Sequence, residues 1–233
     1  MTSKAKDFGE GYLNILKSAT TKLGNKIELI GTPSENNVLI IGVFHGDEPQ
    51  GKYLIEKYLE LYSPTSKSVI STWGMLFIPC LNPDGLQNGT RTNANEVDLN
   101  RNFPTKNWGD DTSGAGKNPK DYYAGEKAGS EIETQFVIDV IEKYQPKLIL
   151  TIHAPYKIVN YDGPAGDIAQ KISDIIGYPI EPSIGYPTPG SFGTYCGVER
   201  NIPTITLELD EKIPVAQLEQ PVFEIFDMII HNI

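Results

Sequence analysis

The 233 residues carry a formal charge of −10, with 39% hydrophobic and 21% charged residues, the balance of an ordinary soluble globular chain. That acidity excludes nucleic acid as a main partner, because phosphate binding needs a basic face. No apolar run approaches membrane-spanning length, and the opening MTSKAKDFGEGYLNILKSATT has no signal-like apolar core, so the expected compartment is the cytoplasm, with no membrane partner.

Strand-like and helix-like segments alternate along the chain. NKIELIG (Asn25 to Gly31) and NVLIIGVF (Asn37 to Phe44) read as strands, and PQGKYLIEKYLELY (Pro49 to Tyr62) as a helix. SVISTWGMLFIP (Ser68 to Pro79) is a third expected strand, followed by a long polar loop from Leu81 to about Gly129. Loops of that length are uncommon in compact domains unless they are functional. Ser130 to Tyr144 reads as a helix, with Ser130 and Glu133 at capping-box spacing and apolar residues recurring at helical period. KLILTI (Lys147 to Ile152) is a buried strand, Pro164 to Gly177 a helix, and PTITLEL (Pro203 to Leu209) a strand. Val215 to Asn232 is expected to close the chain as a helix that Pro221 kinks or divides. The alternation predicts one α/β domain over residues 1–233, with a mixed, largely parallel sheet and helices on both faces. Cys80 and Cys196 are too few for a disulfide framework and are expected to pack as small hydrophobes.

Three histidines are present, and two of them follow strand-like runs: His45 after VLIIGVF and His153 after LILTI. Glu48 lies three residues beyond His45, on the same strand-to-helix turn. Ligands bind at the carboxyl ends of strands in open α/β sheets. Two imidazoles and one carboxylate there, with a position left for water, form a catalytic zinc arrangement. His231, near the end of the chain, is read as an ordinary surface or core residue. Arginine usage adds a second signal. Of three arginines against 17 lysines, Arg91 and Arg101 both lie in the polar loop, where a guanidinium suits planar recognition of a carboxylate or oxyanion.

HGDE, NPDG, RTNANEVDLNRNFP, His153 and TLEL together resemble the zinc carboxypeptidase family of funnelin type, from about Val38 to Leu209. GSEIET and GYPTPGSFGTYC look most like its murein peptide amidase branch, whose members cut the bond between γ-D-glutamate and meso-diaminopimelate in recycled cell-wall peptide. The resemblance implies one zinc ion per chain on His45, Glu48 and His153, with Glu208 as general base and acid. It makes Arg91 the residue that polarises the scissile carbonyl, and Asn100 and Arg101 the pair that grips the substrate's terminal carboxylate. Asp98 would orient His45, as metal-bound imidazoles usually require. Tyr186 stands near the place of a tyrosine that covers that carboxylate in digestive members, although the local spacing differs and the loop's prolines could turn it elsewhere. The implied partner is a small peptide. A metallocarboxypeptidase with another peptide substrate, and an N-acyl amino acid deacylase of the succinylglutamate desuccinylase or aspartoacylase type, are the alternatives. The second fits less well over NPDG and GYPTPGSFG. A catalytically silent binding domain is a further reading, which nothing in the sequence favours.

Overall fold

The structure, a computed structural model, describes residues 14–61, 73–110, 119–181 and 186–231. Parts of the readings above lie outside the described residues: the opening 1–13, the helix end at 62, the strand start at 68–72, loop residues 111–118, Gly185 and Asn232. The strands are β1 (Asn14–Thr20), β2 (Lys26–Thr32), β3 (Asn36–Gly42), β4 (Trp73–Ile78), β5 (Leu148–His153), β6 (Ile158–Asp162) and β7 (Thr204–Glu208). The α-helices are α1 (Gln50–Leu61), α2 (Pro83–Asn88), α3 (Ile132–Tyr144), α4 (Gly166–Ile176) and α5 (Glu219–His231).

The strands form one sheet in the order β1-β2-β4-β3-β5-β7-β6. Its middle is parallel, through β4–β3, β3–β5 and β5–β7. Both margins are antiparallel, through β1–β2 and β2–β4 on one side and β6–β7 on the other. The sheet is therefore mixed around a four-stranded parallel centre. Sequence reading missed β1 and β6 for a physical reason. Both are outer strands in which apolar residues come in pairs broken by polar ones, NILKSAT and IVNYD, so neither shows the continuous run that marks a strand buried on both faces.

Alternation along β3 divides the core. Val38 and Ile40 pack with Leu54, Ile55 and Tyr58 of α1 and with Ala169, Ile172, Val222 and Phe226 of α4 and α5. Leu39 and Ile41 pack on the other face with Phe136, Val137 and Val140 of α3. Cys196 is part of that second cluster, and both cysteines are buried and free, as expected of small hydrophobes. Helices thus cover both faces, as the alternation predicted.

Two local expectations change. The Ser130–Glu133 capping box does not form: Glu131 occupies the N-cap of α3 without a side-chain cap bond. Ser130 Oγ instead meets Glu131 and Asn102, while Glu133 accepts from Asn93, because both are drawn into the buried polar loop. The closing helix is divided at Glu219, two residues before Pro221, by a 3₁₀ turn over Val215–Leu218. Pro221 then lies in the first turn of α5, where its missing N–H breaks no helical bond.

The sheet aims the site. β3 leads through α1 to β4 on one side, while β5 lies on the other side of β3, so the carboxyl ends of β3 and β5 flank a topological switch point. Just past β3 the backbone breaks sharply at Val43, a buried β-branched residue at φ 57°. Such a conformation costs on the order of 1–3 kcal/mol and persists only when its surroundings impose it. Here Leu81 and Asn82 N–H groups bond the Gly42 and Val43 carbonyls. Gly46 follows with no room for a side chain: a Cβ there would stand 2.0 Å from the Gly85 carbonyl carbon and 2.3 Å from Leu86 N. Backbone cannot step aside as a side-chain tip can. Gly46→Ala is therefore expected to lower the free energy of unfolding by at least about 1–3 kcal/mol, read as a shifted urea midpoint. An unchanged midpoint would show that the turn is not tightly seated.

Candidate metal and catalytic site

His45 and Glu48 lie on the turn between β3 and α1, and His153 is the last residue of β5. All three are buried, and one ligand atom from each falls within 4.8 Å of the others. Glu48 Oε1 lies 2.7 Å from His45 Nδ1, Glu48 Oε2 3.0 Å from His153 Nδ1, and the two Nδ1 atoms 3.3 Å apart. His153 is also stacked on Phe44, ring centroids 5.3 Å apart. Two imidazole nitrogens and a carboxylate suit zinc, which takes N and O donors and keeps a position open in catalytic sites.

Asp98 orients His45. Its Oδ1 lies 3.2 Å from His45 Nε2, the arrangement that turns Nδ1 toward Glu48 and His153. Arg91 Nη1 stands 3.2 Å from the same Nδ1. Arg91 Nε and Nη2 both donate to Asp98 Oδ2, at 3.2 and 3.1 Å. Burial pushes the Asp98 carboxyl up, but Arg91 first and then His45 outweigh it and hold the group well below the usual carboxylate range. Glu48 behaves alike: burial raises it, and the two histidines bring it far down. Both groups stay ionised.

Glu208, at the end of β7, is paired in register with His153. Its carboxyl is buried and Oε2 has no hydrogen-bond partner. Burial raises its pKa above the ordinary value, against the pull of His153, and Glu48 adds to the rise. Such a carboxylate is a better proton acceptor than an exposed one.

Arg101 is 1% exposed, yet its Nε and Nη2 find no hydrogen-bond partner; Nη1 donates to the Asn100 carbonyl at 2.6 Å. Its guanidinium lies 5.7 Å from the Tyr122 ring centroid and 5.9 Å from that of Tyr186. Asn100 Oδ1 accepts from Phe192 N–H, which leaves its Nδ2 donors to offer. His45, Glu48, Arg91, Asn100, Arg101, His153, Tyr186 and Glu208 line one cavity of about 200 Å³. Tyr186 therefore does reach it, with a hydroxyl pKa pushed up by burial and by Tyr156. Sequence reading missed Tyr122 and Glu211, and Tyr156 of HAPY, at a place where digestive family members line the pocket with other residues, is at the site as well. Tyr122 stacks on Arg91 at 5.1 Å, and the other two line the cavity. None carries a spacing signal, since each arrives from a separate loop.

NPDG proves structural. Asn82 caps α2 by accepting from Gly85 N–H and donates to the Phe44 and Arg91 carbonyls, tying the ligand turn to the arginine loop. Pro83 begins the helix, and buried Asp84 accepts from Thr21, Leu23 and Asn25.

A switch-point cavity with a His/Glu/His cluster, a buried carboxyl with one unpaired oxygen and a buried guanidinium with two unpaired nitrogens is the equipment of a metallohydrolase. The chain belongs to the zinc carboxypeptidase family, whose profile matches residues 13–174. It is 34% identical over 181 residues to murein peptide amidase A of Escherichia coli K12, covering 75% of this chain and 72% of the relative. The structure is similar to that of the murein-tripeptide amidase from Escherichia coli O157, with a TM-score of 0.75 and 28% identity over 94% of this chain and 91% of the other. Carboxypeptidase A from Helicoverpa armigera shares the fold, with a TM-score of 0.74 and 19% identity over 94% of this chain and 67% of the other. The chain is accordingly a hydrolase of peptide or amide bonds in a zinc-dependent family. No helix among the described residues is long and apolar enough to cross a membrane.

Because Asp98 fixes the donor face of His45, Asp98→Asn is expected to weaken binding of a divalent ion about 10–100-fold, measured by chelator competition. An unchanged dissociation constant would remove Asp98 from the metal's support.

Proposed function

We propose that this protein is a zinc-dependent amidase that hydrolyses the γ-D-glutamyl–meso-diaminopimelate bond of murein peptides, with one zinc ion per chain held by His45, Glu48 and His153. The observation that carries the reading is Arg101. A buried guanidinium with two unpartnered nitrogens costs several kcal/mol unless a complementary anion completes it. A substrate carboxylate in the cavity would do so, and the similarity to murein peptide amidases supports a wall peptide as its bearer. On this reading the enzyme works in the cytoplasm on recycled peptide.

When bound, zinc supplies a Lewis acid that polarises the scissile carbonyl and acidifies water. Amide hydrolysis also needs a proton taken from the attacking water and one delivered to the departing amine. Glu208 does both, because it lines the same cavity as the metal ligands and one of its oxygens has no hydrogen-bond partner. Arg91, held by its fork on Asp98, keeps Nη1 beside the ligand cluster, where it can donate to the carbonyl oxygen as negative charge develops. A donor in that role is worth roughly 2.7–4 kcal/mol. Asn100 Nδ2 and the free edge of Arg101 hold the terminal carboxylate, walled by Tyr122 and Tyr186.

Glu208→Gln is expected to keep zinc and fold while kcat falls toward the upper end of about 10²–10⁴-fold. Near-native turnover at full metal occupancy would move proton transfer to another residue.

Arg101→Lys keeps the charge but loses the fork, so it is expected to raise KM with little change in kcat. Wild type should cleave a substrate with an amidated terminal carboxylate poorly, and the variant should discriminate less between acid and amide. If the variant kept the full preference for the free acid, Arg101 would not be its reader.

A further inference from the structure

A second buried polar cluster lies away from the cavity, at the amino-terminal end of α3. Glu131 and Glu133 are 5% and 2% exposed, and both direct Oε2 at one amide nitrogen, Asn93 Nδ2, at 2.8 and 3.3 Å. Asn95 Nδ2 also donates to Glu131, at 2.7 Å. The other end of Asn93 folds its own loop: Oδ1 accepts from the N–H groups of Asn95 and Val97, and its carbonyl accepts from Glu96 N–H. That turn stands between Arg91 and Asp98. Past Arg101 the grip repeats, where Glu131 N–H donates to Asn102 Oδ1 and Asn102 Nδ2 donates to Ser130.

We propose that Glu131 and Glu133 are positioning residues for catalysis: both side chains hold Asn93, and Glu131, by its backbone N–H and through Ser130, also holds Asn102, so that the segment carrying Arg91, Asp98, Asn100 and Arg101 is clamped at both ends. Neither glutamate lines the cavity. Their influence on the substrate runs through where the two guanidinium groups stand. The deduction rests on the site roles proposed above for Arg91 and Arg101.

The clamp has a built-in proton dependence. Two carboxylates converging on one neutral amide cannot both ionise cheaply. Burial, with Glu131 and Asp84 adding to it and Asn93 and backbone N–H opposing, pushes Glu133 up to about 7 from an ordinary 4.5. Lys22 bonds the rim, at the Ala94 carbonyl and Asn95 Oδ1. A folded-state pKa above the ordinary value means a contribution complete below about 4.5 and lost as pH rises through about 7. Above that, the second charge repels Glu131 and loosens the grip on Asn93.

The test compares wild type, Glu133→Gln and Glu133→Ala in the full chain with its metal. Hydrogen exchange of the amides in residues 93–102 is followed from pH 6 to 9, with KM for free-acid and amidated substrates. Glutamine cannot ionise and keeps an acceptor for Asn93, so exchange in that variant should rise with pH only at the intrinsic chemical rate. Wild type should exceed it above pH 7, with a matching rise in KM. Alanine should exchange fast at every pH and raise KM about tenfold or more, the scale of a lost hydrogen bond to a charged group, with a weaker preference for the free acid. General destabilisation would not move that preference. Identical pH profiles for wild type and the glutamine variant overturn the proposal, even where the alanine variant fails to fold. So does wild-type exchange and KM in the alanine variant. Exchange needs no substrate, so loosening in a protein that leaves the wall peptide uncut would overturn the substrate reading and leave the clamp standing.

Discussion

Asp98 joins every part of this site. One fully buried carboxylate meets His45 Nε2 and the Asn100 backbone N–H through Oδ1, and the Arg91 fork through Oδ2. It thereby sets which face of His45 is offered to a metal, where the Arg91 guanidinium stands, and how the chain turns into Asn100 and Arg101. Removing one partner of a buried ion pair typically costs about 3–5 kcal/mol, because the other charge is left unpaired. The surrounding structure is correspondingly built to keep Asp98 where it is, through its own N–H bond to the Tyr123 carbonyl and the turn closed by Asn93.

The same site tolerates polar atoms that a core would not. Glu208 Oε2 and two nitrogens of Arg101 are buried without partners, and Val43 holds a conformation that β-branched residues avoid. Buried polar groups are usually satisfied; Gln50 Oε1, Trp108 Nε1 and Thr134 Oγ1 are also without partners, but only the Glu208 and Arg101 exceptions line the cavity. On the proposed function the two suit the reaction, one offering a proton acceptor and the other a place for an anion. The strained turn serves the same end, since it delivers His45 and Glu48 to the switch point of a rigid parallel sheet.

The described part of the long loop is fastened by side-chain amides. Asn82, Asn93 and Asn102 each bond several backbone or carboxylate groups at once, and together they fasten the arginine segment to α2, to α3 and to the turn after β3. Amides suit this work because each offers two donors and an acceptor without introducing a charge. The acidic residues beneath them, Asp84, Glu131 and Glu133, then face neutral partners, which is why burial can raise Glu133 so far.

From residues alone, much was legible. Apolar runs over 37–44 and 147–152 marked two central strands, and the histidines after them marked the edge where His45, Glu48 and His153 come together. The scarcity of arginine singled out Arg91 and Arg101, and the motifs NPDG and DLNRNFP carried the family. These are local signals, set by burial on both faces of a strand or by unusual residue choice. Margins β1 and β6 escaped because outer strands need no apolar run. Ser130 and Glu133 matched a capping box by spacing, yet partners 28 and 40 residues away, Asn102 and Asn93, claimed their side chains. Tyr122, Tyr156, Glu211 and the position of Tyr186 depended on separate loops meeting at one cavity. Sequence thus determined which groups were available and which strands would be central. Only the tertiary structure decided which groups would lose water together: burial raises Glu208 and Glu133, whereas Asp98 and Glu48 stay charged against that burial because Arg91 and the histidines were brought beside them.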